Sequence, residues 1–217
     1  MGMLFDATDL PRPPTRIAEG VVHLPAFLSP DTQADLVRQA RAIARGVAGT
    51  PVAMRRPQVG QHHMKAYLMS LGWFWATNPY RLVQEVDGHA VPPVPENYQV
   101  MADAIIARAQ ELDAQINQMA VETALVNFYP PGAGMGEHVD AQEEADNPVV
   151  SLSIGEETTF RIEGHKVVLM SGDALVFGGP ARRARHGVTP PRPGTGPEHT
   201  GLKEGRINIT MRQVHPA

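Results

Sequence analysis

The chain reads as α+β and mainly β: two helices followed by a β-sandwich, jelly roll or related barrel. Three observations predict this. Apolar residues recur at helical spacing in two stretches, both before residue 120. After Asn117 the pattern changes to short β-rich runs broken by Gly and Pro. With 217 residues, 42% hydrophobic and 19% charged, the chain fits one domain that can bury a core without a structural metal or disulfide. No period of roughly 20 to 50 residues repeats, which excludes solenoids and propellers.

Residues 10–14 hold three prolines and read as an extended arm. Ser29 can cap a helix, Pro30 suits its first turn, and Leu36, Val37, Ala40, Ile43 and Ala44 follow on one face. Residues 46–60, rich in Gly, Pro and Arg, read as a loop before a strand at 64–70. Three prolines in 91–95 precede a second helix carrying Val100, Ile105, Ala109, Leu112 and Ile116. Strands are then expected at 124–129, 149–154, 158–162, 166–170, 174–177, 186–189 and 206–211.

The sequence has 0 Cys, which excludes disulfides, thiolate metal sites, cysteine nucleophiles and iron–sulfur clusters. Any metal must use His, Asp or Glu. Met1-Gly2-Met3-Leu4-Phe5-Asp6 lacks a cationic leader, and no apolar run approaches the roughly 18 residues of a membrane span. A cytoplasmic protein without a membrane anchor is expected, and Asp6 stands where a myristoylation signal takes Ser or Thr. The net charge of −4 argues against generic polyanion binding, yet the charges fall in blocks. Residues 36–84 contain Arg38, Arg41, Arg45, Arg55, Arg56, Lys65 and Arg81 and no acid, whereas 137–157 contain seven acids and no Lys or Arg. A basic surface beside an acidic pocket and solvated faces of mixed sign both fit that layout.

His138 and Asp140 stand at i and i+2, so on a strand they point the same way and can share one ion. His186 is the best third ligand. Two His and one carboxylate leave positions open on an octahedral metal, the arrangement of non-haem Fe(II) oxygenases. A Zn²⁺ hydrolase with one water in its fourth position uses the same ligands. In the last strand, alternation puts Ile207, Ile209 and Met211 on one face and Arg206, Asn208, Thr210 and Arg212 on the other. The polar row is either an exposed sheet face or a clamp for a small dicarboxylic acid. Asn127 and Tyr129 share a face of their own strand and can add donors. A dicarboxylic acid beside an open metal points to 2-oxoglutarate.

The runs ALVNFYPPGAGMGEHVDAQEE, PVVSLSI, FGGPARRARHG and RINITMRQ resemble the core of the bacterial AlkB proteins, Fe(II)- and 2-oxoglutarate-dependent nucleic-acid demethylases. The likeness is close over residues 120–213 and looser over 60–82. It implies a double-stranded β-helix (jelly roll) core at 120–217, with 1–119 supplying an N-terminal extension, supporting helices and a nucleotide-recognition lid in one dioxygenase domain. It implies Fe(II) held by His138, Asp140 and His186, with 2-oxoglutarate and O₂ as cosubstrates. Arg206 and Tyr129 would hold the distal carboxylate of the cosubstrate, Asn208 and Arg212 the carboxylate next to its ketone, with Asn127 beside them. Arg182 would be a structural ion-pair residue.

The same resemblance places Trp73 and Tyr80 in the lid, with Trp75 as a further aromatic, and implies oxidative demethylation of N-alkylated bases in DNA with release of formaldehyde. Flat, cationic lesions stack well on electron-rich rings. Arg55, Arg56, Lys65 and Arg81 would meet phosphates. The expected partner is alkylated DNA or RNA, met by a monomer. The alternatives are the same oxygenase core acting on RNA, protein or a small molecule, and a non-catalytic jelly-roll binding module. Three positions depart from the family pattern. Gln142 replaces the acid common two residues past the ligand Asp, Arg185 replaces an aromatic, and Lys166 only approximates a phosphate contact.

Overall fold

The computed structural model describes residues 11–77 and 79–216. The N-terminal part contains β1 (Thr15–Ala18), β2 (Val21–Leu24), α1 (Pro30–Gly46), β3 (Gln58–Val59), β4 (His62–His63) and β5 (Tyr67–Leu71). It continues through β6 (Phe74–Thr77), β7 (Tyr80–Val83), β8 (Glu85–Val86), β9 (His89–Ala90) and α2 (Glu96–Gln110). The β-rich part is β10 (Thr123–Tyr129), β11 (Met135–His138), β12 (Val149–Gly155), β13 (Thr158–Ile162), β14 (His165–Leu169), β15 (Ala174–Phe177), β16 (His186–Val188) and β17 (Arg206–Arg212). The residues before Pro11, including Leu10 of the expected arm and the Met1–Asp6 segment, lie outside the described residues.

A seven-stranded sheet in the order β1-β2-β15-β12-β17-β10-β5 and a four-stranded sheet in the order β11-β16-β13-β14 form the core. Alternation sorts the large sheet's side chains. Val126, Leu152, Val176, Ile209 and Met211 join Leu36, Tyr98, Ile105 and Ile106 of the helices in one apolar layer. On the other face, Val149, Leu175 and Phe177 pack against Phe160, Ile162, Val167 and Leu169 of the small sheet. The result is a jelly roll with helices outside the large sheet and a cavity between the two sheets, as the sequence predicted. Both faces of β17 are covered, so its whole length is buried and its polar row is not an exposed face.

The first helix forms as expected, with the Ser29 side chain accepting from Thr32 N. The second is shorter than its apolar residues suggest. It ends at Gln110, its buried face is Tyr98, Ala102, Ile105, Ile106 and Ala109, and Val100 is 70% exposed. Val100 is two residues from Tyr98, about 200° around the helix, and so faces solvent. Leu112 and Ile116 still pack on the same core, but from the turns that follow. The β1–β2 hairpin was not foreseen. It turns at Gly20, whose φ is +75°, and a Cβ there would stand 2.2 Å from Gly178 O, so only glycine lets β2 lie along β15.

Candidate active site

Three ligand atoms, one each from His138, Asp140 and His186, lie within 4.8 Å of one another. β11 and β16 pair so that His138 stands opposite His186, and Asp140 follows just beyond β11. His138 Nε2 is 3.7 Å from Asp140 Oδ1, and His186 Nε2 is 3.8 Å from Oδ2. Each imidazole is oriented from behind. Nδ1 of His138 donates to Gly136 O at 2.9 Å and Nδ1 of His186 donates to Ala184 O at 3.0 Å, leaving both Nε2 lone pairs toward the shared point. The strands approach closely because residue 187 is glycine: a Cβ there would meet Met135 O at 2.9 Å and Glu137 N at 3.0 Å. Burial holds His186 neutral by lowering its pKa, against the opposing pull of Asp140.

Burial alone would raise the Asp140 pKa, but opposing charge, that of Arg212 foremost, outweighs it and lowers the pKa. Arg212 Nη2 stands 2.7 Å from Asp140 Oδ2, and Arg212 Nη1 is 3.2 Å from Glu143 Oε1. Glu143 Oε2 in turn pairs with Arg182 Nη2 at 3.2 Å. This buried chain of alternating charges supports the Asp ligand and gives Arg182 the structural role expected of it.

The triad opens into a cavity of about 390 Å³ between the sheets. Its wall includes Asn127 and Tyr129 of β10, Ser151 of β12, and Arg206, Asn208, Thr210 and Arg212 of β17. Arg206 is 2% exposed, and among the described residues no carboxylate pairs with it. Its Nε donates to Ser153 Oγ at 2.8 Å and its guanidinium lies 5.4 Å from the Tyr129 ring centre. Burial lowers its pKa to about 10. A buried guanidinium without a counter-ion is a place for an anion. Arg212 differs, because Asp140 and Glu143 already neutralise it. Asn208 is also engaged: its amide donates to Ser151 Oγ at 2.7 Å and to Leu152 O at 2.9 Å, and its Oδ1 accepts from Asn127 and Thr210.

At the mouth, Trp75 and Tyr80 line the cavity with ring centres 6.1 Å apart, and Gln142 lines it from the loop after Asp140. Trp73, expected in this lid, is placed elsewhere. It sits in the turn after Gly72, whose φ is +74°, and its ring meets that of His215 at 5.0 Å. Strand alternation begins only at Phe74, so it directs Trp75 to the cavity and leaves Trp73 against the C-terminal tail. Arg55 is likewise not a free phosphate ligand, since it donates to Trp75 O at 2.7 Å and lies over Phe74.

The model of the 2OG-Fe(II) oxygenase superfamily matches residues 20–212. An AlkB homolog of Caulobacter vibrioides, an alpha-ketoglutarate-dependent dioxygenase, is 33% identical over 94% of this chain and 92% of its own length. The chain belongs to the AlkB-type 2OG-Fe(II) oxygenases. Arabidopsis thaliana ALKBH1D, a DNA N(6)-methyladenine demethylase, is 32% identical over 90% of this chain, which spans about half the length of that relative. The structure of OsALKBH1 superposes with a TM-score of 0.81 at 27% identity, covering 93% of this chain and 100% of that one.

The residues fit the cofactor and cosubstrates of this oxygenase family: Fe(II), 2-oxoglutarate and O₂. Asn127 Oδ1 and Arg212 Nε are buried at the cavity without a hydrogen-bond partner, as polar atoms awaiting a polar ligand would be. Sequence reasoning assigned no role to Ser151 and Ser153, although they alternate with Val150, Leu152 and Ile154 and so share the polar face. It also missed Glu143, whose function depends on two arginines distant in the chain. Among the described residues, no helix is long and apolar enough to cross a membrane.

Proposed function

We propose that this oxygenase demethylates N-alkylated bases in nucleic acid, with DNA as its first substrate. One observation carries the reading. A single cavity joins the His138–Asp140–His186 cluster, the unpaired Arg206 guanidinium and, at its mouth, the Trp75–Tyr80 pair. In this reading His138, Asp140 and His186 hold the metal. Arg206 and Tyr129 take the distal carboxylate of 2-oxoglutarate, while Asn127, Asn208, Thr210 and Arg212 border its other end. Trp75 and Tyr80 hold the base by stacking, and Gln142 meets its edge.

When bound, iron with O₂ and 2-oxoglutarate supplies the oxidising power: the cosubstrate leaves as succinate and CO₂, and one oxygen atom enters an N-methyl C–H bond. The hydroxymethyl product then loses formaldehyde and returns a proton to the base nitrogen. Apolar walls from Leu68, Leu125, Phe160 and Val188 keep water from the reacting carbon. RNA is the second reading, favoured by a tRNA demethylase of Schizosaccharomyces pombe that is 27% identical over 71% of this chain. The same proposal takes the protein as a cytoplasmic monomer built of one dioxygenase domain. Formaldehyde and succinate measured on methylated DNA and RNA oligonucleotides test it. Stoichiometric formaldehyde is expected, and its absence with every oligonucleotide while 2-oxoglutarate is still consumed would overturn it.

A further inference from the structure

We infer that the strand flanking the target base runs from the mouth around the β5 edge of the large sheet into a second groove on its helix side, so that the protein holds single-stranded nucleic acid well beyond one base. The inference rests on the nucleic-acid reading above but concerns a different surface. The groove has a volume of about 540 Å³ and lies between α1, β10 and β17. Val126 and Ile207 form its floor and belong to the apolar layer under the helices, whereas their neighbours Asn127 and Arg206 face the metal cavity. The two spaces therefore lie on opposite faces of the same strands. The groove stays open because α1 carries Ala40 and Ala44 there, while its other core positions have Leu36, Val37 and Ile43.

A series of contacts joins the mouth to this groove. Met64 borders the metal cavity, and its backbone oxygen accepts from Arg56 Nε at 2.7 Å. The Arg56 guanidinium lies 6.0 Å from the centre of the Tyr67 ring. That ring is 6.4 Å from the ring of Phe128, which lines the groove. Tyr67 is 38% exposed on the edge strand β5 and offers a face on which a base can stack. Arg41 and Lys203 stand on the rim of the groove, and Arg45 is one turn further along α1. Among the described residues, none of Arg41, Arg45, Arg56, Lys65 and Lys203 pairs with a carboxylate, and the groove has one acid, Glu204. Cations that meet successive phosphates, interleaved with rings that meet bases, suit a flexible polyanion and read no sequence.

Single-stranded DNA with one central N6-methyladenine, in lengths of about 4 and about 16 nucleotides that bracket common single-strand sites, tests this in the full chain. Affinity is read by fluorescence anisotropy with Mn(II) in place of iron, and formaldehyde release with iron is measured on the same oligonucleotides. The long strand is expected to bind at least tenfold tighter than the short one. Tyr67→Ala should reduce that ratio about tenfold, whereas Tyr67→Phe, which keeps the stacking face, should preserve it. Lys203 is exposed, so Lys203→Gln should keep the thermal melt of wild type, reduce the ratio, and lower the salt slope for the long strand by about 0.7, one phosphate contact. Equal affinity for both lengths, or a ratio unmoved by Tyr67→Ala or by Lys203→Gln, would overturn the inference while formaldehyde release leaves the demethylase reading intact. Formaldehyde from neither strand, with 2-oxoglutarate still consumed, would overturn both.

Discussion

Arg206→Met separates a ligand-binding cation from a structural one. The guanidinium is fully buried, and burial brings its pKa from the ordinary guanidinium value down to about 10. That difference corresponds to roughly 3 kcal/mol of unfavourable burial in the charged form. Because the folded pKa lies below the unfolded one, the folded state binds the proton more weakly. The cost is therefore fully present at neutral pH and fades as pH rises through about 10. Methionine removes the cost and gives up the Ser153 hydrogen bond, worth about 1 kcal/mol, and the contact with Tyr129. The variant without cosubstrate should therefore melt no lower than wild type, and up to a few degrees higher. Binding of 2-oxoglutarate should suffer instead. A charge-assisted pair of about 2 to 3 kcal/mol predicts a KM for 2-oxoglutarate raised about 30- to 150-fold. The effect on kcat should be smaller, since in the proposed pose the distal carboxylate is remote from the reacting carbon. Succinate formation against 2-oxoglutarate concentration and thermal melts give both numbers. A KM within threefold of wild type, or a Tm lowered by more than about 5 °C, would refute the assignment.

His138→Ala should abolish turnover and weaken Mn(II) binding while leaving the thermal melt of the metal-free protein within about 2 °C, because the imidazole is 38% exposed; a marked loss of folding would show a structural role. Trp73→Ala should cost about 1 to 2 kcal/mol of stability through its lost contact with His215 and leave the affinity for methylated oligonucleotides unchanged, whereas Trp75→Ala should weaken that affinity about tenfold or more, as fluorescence anisotropy can check. Glu143→Ala leaves Arg182 and Arg212 short of a buried partner and should destabilise by about 3 to 5 kcal/mol in a urea titration, with Glu143→Gln recovering part of it. For Asp173, burial would raise the pKa, but His23, Arg12 and two backbone amides outweigh it and hold it below the usual carboxylate range. Its stabilisation is therefore present above about pH 4 and lost as pH falls through the folded pKa, so the stability gap between wild type and Asp173→Asn should narrow in acid melts; a gap independent of pH would contradict this.

Local periodicity was enough to show the β-rich half, and residues 158–162 and 174–177 are strands at the expected bounds. It also placed Arg206, Asn208, Thr210 and Arg212 on one face of a strand, because alternation is a property of the backbone and needs no neighbour. Spacing alone left the metal cluster open, since His186 lies far from His138 in the chain and only the β11–β16 pairing brings them together. The Zn²⁺ alternative was open because the same three ligands suit either metal. Pairing also shows that the polar row of β17 is buried, because a second sheet covers it.

Other features depended wholly on tertiary contacts. The exchange of Trp73 for Trp75 at the cavity follows from the left-handed turn at Gly72, where a Cβ would stand 2.1 Å from Glu122 O. The different states of the two β17 arginines follow from what the fold places beside each: Arg206 has Ser153, while Arg212 has Asp140 and Glu143. The sequence by itself determined the residue types, their faces and the set of candidate ligands, because these depend on chain-local geometry. Which candidates meet, and which cation is left without a partner, was decided by the packing of the two sheets, because the energy of a buried charge depends on its neighbours in space.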